Sequence, residues 1–178
     1  MAVLEQLLRH GPLPEPLQQV HWCFHASSRE PPDAAEQALL QRAACHPRIS
    51  VLEGVQSRER MLQELARSSA ALLAYSSVAY AERSSGVFWL YAAVRLACGL
   101  PAPLVIPCRG WLWQEAQAFG VPCVALPEPA TAAEALERLA EALQLSATTP
   151  ALTPYGQSVV GQPWDQWVVD QLEADKVG

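Results

Sequence analysis

The stretch Tyr75–Gly120, YSSVAYAERSSGVFWLYAAVRLACGLPAPLVIPCRGWLWQEAQAFG, decides the reading of the fold. It follows an apolar strand at Ala70–Ala74 and opens as a polar loop closing on Ser84-Ser85-Gly86. A long apolar helix over Gly86–Cys98 comes next, stopped by Gly99 and Pro101. A Pro-bounded strand over Leu104–Ile106 then leads to a helix over Trp111–Phe119 that ends at Gly120. A small-residue loop that opens a helix after a parallel strand is an anion site in waiting. The first helical N–H groups lack intrahelical partners, and the helix dipole favours negative charge there. A phosphate or diphosphate ligand is the expectation, with Ser84, Ser85, Gly86 and Val87 around it. The plainer alternative is that Ser84-Ser85-Gly86 only caps a helix.

The same pattern extends in both directions. Upstream, helices are expected over Ala2–His10, Pro31–Cys45 and Ser57–Arg67, with strands at Gln19–His25 and Arg48–Leu52. Ala35, Ala38, Leu39 and Ala43 form the apolar face of the second helix; Met61, Leu62 and Leu65 point inward from the third, with Ser57 as its cap. Downstream, a strand at Val121–Leu126 precedes a helix over Thr131–Leu145, where Thr131 and Glu134 have capping-box spacing. A connector from Thr148 to Gln162 leads to an amphipathic helix over Pro163–Ala174. Short apolar strands alternating with helices predict an α/β domain: a three-layer, Rossmann-like parallel sheet with helices on both faces. Ligands bind such sheets beyond the carboxyl ends of the strands, where the Tyr75–Gly86 loop falls.

Composition narrows the function. The 178 residues fit one domain, and the 51% apolar content supports a sizeable core. A net charge of -6 with no basic run argues against nucleic-acid binding. No apolar run is long enough to span a bilayer, and the start MAVLEQLLRHG lacks a secretory segment, so a cytoplasmic protein is expected. The scattered cysteines Cys23, Cys45, Cys98, Cys108 and Cys123 read as small buried hydrophobes in a reducing compartment. His21, Cys23 and His25 share one face of a strand. Their backbone spacing of roughly 6.8 Å is wide for one tetrahedral ion, so a packed core face is favoured over a metal site. Neither a G-x-S-x-G elbow nor a G-x-G-x-x-G fingerprint occurs.

From Val20 to Leu126 the chain resembles the C-terminal, nucleotide-sugar-binding half of GT-B glycosyltransferases of the family 4 type. The stretches carrying the resemblance are HPRISVLEGV, MLQELARSSAALLAYSS, YAERSSGVFWLYAAVRLACGLPAPLVIP and WLWQEAQAFGVPCVAL. It implies a donor-binding domain over 1–178, with 163–178 crossing back towards a partner domain. It implies a UDP- or GDP-linked sugar as ligand, with neither metal nor other cofactor required. Ser84, Ser85, Gly86 and Val87 would hold the diphosphate, Arg83 would supply charge, and Tyr75 and Tyr80 would wall the pocket. Trp111 and Glu115 would lie on the sugar side.

Departures from the family pattern bear on activity. Its paired glutamates are replaced by Arg83 and Tyr91, with Glu82 beside the first position. The basic loop, the first strand and the acceptor domain have no counterpart in the chain. In the order 3-2-1-4-5-6 that first strand is central, so the strands at Val20–His25 and Ala70–Ala74 are expected either to close up or to need a partner. Unpaired buried backbone costs on the order of 1–3 kcal/mol per group. Transfer to an acceptor would then need a partner chain or self-association. The alternatives are a non-catalytic remnant serving as an interaction module, or a flavodoxin-like small-ligand binder.

Overall fold

A computed structural model describes residues 1–9, 11, 13–26, 31–75, 78, 84–97 and 103–148. The expected Pro163–Ala174 helix, Tyr80 and Arg83 lie outside these residues. The described elements alternate as expected: α1 (Ala2–Leu8), a 3-10 turn (Glu15–Leu17), β1 (Trp22–Ala26), α2 (Ala34–Ala44), β2 (Ile49–Glu53), α3 (Arg58–Arg67) and β3 (Ala71–Leu72). After them come α4 (Gly86–Ala97), β4 (Leu104–Pro107), α5 (Trp111–Ala118), β5 (Cys123–Leu126) and α6 (Ala132–Thr148).

Local chemistry sets the ends. The Asp33 carboxylate accepts from the Glu36 N–H at 2.8 Å and starts α2, while the Ser57 hydroxyl accepts from the Arg60 N–H at 3.2 Å and starts α3. The expected capping box forms: Glu134 N–H reaches the Thr131 hydroxyl at 3.2 Å, and the Glu134 carboxylate takes the Thr131 N–H at 2.7 Å.

All strand pairs are parallel, but they fall into two ladders, β1–β2 and β3–β4–β5. A first core unites them on one face. Val105, Val124 and Leu126 pack there with Ile49, Leu40 and Ala43, under Leu4, Leu7 and Leu8 of α1 and Leu136 and Leu139 of α6; Trp22, Phe24 and Leu72 are half-buried against the same core. A second core on the opposite face of β3–β5 holds Leu104 and Ile106 under Phe88 and Tyr91 of α4 and Leu112 and Ala116 of α5.

Helix placement fixes strand order. α2 packs into the first core, whereas α3 packs along α4 on the other face. Crossovers between parallel strands are right-handed, so the step β1→β2 and the steps β2→β3→β4→β5 run in opposite lateral directions. The layer therefore reads β2-β1, then β3-β4-β5, and β1 and β3 are neighbours across the junction. No ladder joins them among the described residues. This junction is where the strands were expected either to close up or to need a partner. Shared helices α1 and α6 hold the halves together instead.

Three further expectations change. In α2 the buried positions are Leu40 and Ala43, with Leu39 half-buried, while Ala35 and Ala38 are exposed; the bulkier leucines rotate the helix to bury more apolar area. Met61, Leu62 and Leu65 are only half-buried, since α3 packs mainly along α4. Cys23 and Cys45 are exposed rather than buried, and Cys108 and Cys123 are intermediate.

Candidate functional site at the carboxyl edge of the sheet

The carboxyl ends of β3 and β4 bring four expected site residues into two short hydrogen-bonded groups. Ser85 is buried and starts α4: its hydroxyl accepts from the Phe88 N–H at 3.3 Å, and its carbonyl accepts from the Trp89 N–H at 3.2 Å. The same hydroxyl donates to the Tyr75 oxygen at 3.2 Å, which pins the end of the β3 segment to the helix. Ser84 is exposed and faces α5. It accepts from the Trp89 indole N–H at 2.7 Å and donates to Glu115 Oε2 at 2.6 Å. Trp89 in turn meets Phe119 edge-on, with ring centroids 5.1 Å apart.

The expected capping role is thus realised at Ser85. The cap leaves the first turn of α4 open above Gly86, where a Cβ would meet nothing within 4 Å. Gly86 is therefore required neither by packing nor by a left-handed backbone. The conformational demand falls on Gly110, whose φ of 86° sets the turn from β4 into α5. That turn carries Trp111, which is 43% exposed, and on the next turn Glu115, which is half-buried.

Apolar side chains crowd this edge. Val55 after β2, Val78 after β3 and Trp111 after β4 are among the exposed large hydrophobic residues of the described chain. Arg109, exposed between β4 and α5, adds a cation that the sequence reading passed over. The cue was available, because a residue directly after a parallel strand lies on the ligand-binding edge. Trp89 was passed over too, and its indole bond to Ser84 could not be read from spacing.

The paired hydroxyl and carboxylate at Ser84 and Glu115 suit a ligand that donates hydrogen bonds. An ionised carboxylate has about four lone-pair positions, and Ser84 fills one of them. Such a group attracts hydroxyls and repels phosphate.

The His21, Cys23 and His25 face is solvent-facing, correcting the expected packed core face; the core side of β1 carries Trp22, Phe24 and Ala26. His21 Nε2 lies 2.7 Å from Ser50 Oγ, and His25 Nε2 donates to the Gly54 carbonyl at 3.1 Å. Partial burial and the nearby Glu64 raise the Cys23 thiol pKa, which keeps the thiol protonated. Among the described residues no group of His, Cys, Asp or Glu could hold a metal ion. A concavity of about 560 Å³ lies at the opposite edge of the sheet between Leu8, Ala38, Arg42, Cys45 and His46. It is shallow and touches no residue of the carboxyl edge.

No protein-family model matches this chain, and neither a curated protein nor a solved structure does. Among the described residues no helix is long and apolar enough to cross a membrane.

Proposed function

We propose that this chain is a glycosyltransferase-like domain that binds a nucleotide-diphospho-sugar at the carboxyl edge of β3–β4. Transfer to an acceptor would occur only with a partner domain. The observation that carries this reading is the grouping of Trp111 and the Ser84–Glu115 pair beside the open first turn of α4. An exposed indole offers a face for a sugar or base, and the carboxylate offers acceptors for sugar hydroxyls. The free amides of the helix start offer donors for phosphate. In the reaction the leaving diphosphate gathers negative charge, so holding it is the main contribution this domain makes. Arg83 and Tyr80 belong to the same proposed site.

The test is a thermal-shift titration of the whole chain with UDP, GDP, UDP-glucose and GDP-mannose. A saturable rise that is larger for a nucleotide sugar than for its bare nucleotide supports the reading. No rise with any of them, for a chain shown folded by circular dichroism, removes it.

A second reading, a non-catalytic interaction module that keeps the fold, is favoured by a different observation. Both serine hydroxyls already have protein partners, and Glu115 places negative charge where a diphosphate would approach. On that reading nucleotides leave the melting temperature unchanged.

A further inference from the structure

Glu115 is a carboxylate held in place from one side and open on the other. Its Oε2 accepts from the Ser84 hydroxyl at 2.6 Å, and that hydroxyl accepts from the Trp89 indole N–H at 2.7 Å. The proton of Ser84 is therefore committed to Glu115, and neither group has a donor to offer an incoming anion. Among the described residues no cation pairs with Glu115, whereas Glu5, Glu64 and Glu141 each have an arginine. Trp111 stands one helical turn before Glu115 on α5. Side chains four apart on a helix share a face, with Cβ atoms about 5–6 Å apart. The exposed indole and the half-buried carboxylate thus flank the same space. A sugar ring lying on that indole turns its substituents outward around its rim, and on the Glu115 side the rim meets acceptor oxygens.

We propose that Glu115 is the specificity-determining residue of this site, and that the sugar it admits is neutral, a hexose or N-acetylhexosamine, with uronic acids excluded. The inference rests on the nucleotide-sugar reading above and narrows its substrate class. A rim hydroxyl donates to the carboxylate. A sugar carboxylate has no proton to give and sets a second negative charge beside the first. Like charges placed against one another are a general means of rejecting the wrong ligand. The repulsion reaches every position on the rim, because the screening length is roughly 8–10 Å at moderate salt. The discrimination falls on the sugar alone, since nucleotide and diphosphate are the same in both ligands. Arg109, exposed in the turn ahead of α5, is the closest described cation along the chain. If it governed the rim in place of Glu115, uronic acids would bind at least as well as hexoses.

The test is calorimetric titration of the whole chain with UDP, UDP-glucose and UDP-glucuronate, and with GDP, GDP-mannose and GDP-mannuronate. For the base that binds, the neutral sugar should bind about tenfold or more tightly than its uronic acid counterpart at low salt, and high salt should narrow the gap. Glu115→Gln keeps an acceptor for Ser84 and removes the charge. It should bring the two ligands within about threefold of each other, chiefly by tightening the uronic acid. Should that variant fail to fold, the salt dependence of the unaltered chain still decides. Equal binding of the two, or tighter binding of the uronic acid, overturns the proposal and leaves the nucleotide-sugar reading standing. A gap that neither salt nor Glu115→Gln alters reflects shape rather than charge and overturns it equally, as does a sugar that adds nothing to its bare nucleotide. Binding of none of these ligands removes the nucleotide-sugar reading and this inference with it.

Discussion

Ser84 and Glu115 tie together the two helices that flank β4 in sequence, α4 and α5. The hydroxyl of Ser84, just ahead of α4, donates to the carboxylate on α5 at 2.6 Å, across 31 positions of sequence. The bond holds the starts of both helices side by side above the carboxyl ends of β3 and β4. Glu115→Ala should therefore act at two levels. Because Ser84 is exposed, the stability loss should stay below about 1 kcal/mol. In the nucleotide titration it should remove the increment due to the sugar and leave that of the bare nucleotide.

Ser85→Ala tests the cap. It removes the acceptor for the Phe88 N–H and the donor to Tyr75 together. Loss of such a cap costs about 1 kcal/mol, which for a domain of this size lowers the melting temperature by roughly 2–4 °C. Ser85→Asp keeps an acceptor and should restore much of the capping component. Chemical denaturation of both variants separates the cap from the Tyr75 contact.

Arg95 and α3 form the second test of stability. Arg95 is 3% exposed; its Nη1 donates to the Ala66 carbonyl at 2.8 Å and lies 3.4 Å from that of Leu65, while its guanidinium sits 5.9 Å from the Tyr91 ring centroid. It closes the carboxyl end of α3, where a cation also complements the helix dipole. Arg95→Ala removes the side-chain donor to the Ala66 carbonyl, while that of Leu65 keeps Ser68, and leaves a void, so a loss of about 2–4 kcal/mol is expected. Denaturant midpoints measure it.

Tyr91 sets an alkaline limit. Burial pushes the pKa of its hydroxyl from 10.0 up to about 12, against the opposing pull of Arg95 and of a hydrogen bond with Ser68. The unfolded chain therefore loses this proton first as pH rises. The folded state is destabilised between about pH 10 and 12, by roughly 2–3 kcal/mol at the top of the range. Tyr91→Phe should flatten that fall, because the titrating hydroxyl is removed. Stability curves against pH for both proteins check the sign.

Glu134 works in the opposite range. Its hydrogen bonds from the Thr131 backbone and side chain lower its pKa. The capping box is therefore fully present above the ordinary carboxylate pKa and is lost as pH falls through the lowered one. Glu134→Gln should remove that acid-side slope, and melting curves between pH 2 and 6, roughly the carboxylate range, would show it.

Much of this was legible in the chain because local chemistry carried it. Ser57 and the Thr131–Glu134 pair mark helix starts by side-chain oxygens alone, and both caps form. The short apolar strands predicted parallel pairing, which holds within each ladder. What escaped depends on where an element lands in space. Rotation of α2 follows from the leucines competing for the first core, and the weak burial of α3 follows from its packing mainly on α4. At the site, Ser85 as a cap was foreseen as one alternative. The Trp89–Ser84–Glu115 chain was not, because it joins residues whose approach is set by the packing of α4 on α5.

The division of the strands into two ladders has a consequence for how this molecule melts. Trp22 and Phe24 stack at 6.4 Å on one side of the division, while Phe88 and Trp89 meet at 4.9 Å on the other. Each half thus has its own aromatic pair, and among the described residues no strand ladder links them. Heat should act on two coupled transitions rather than one, with a calorimetric enthalpy larger than the van't Hoff value.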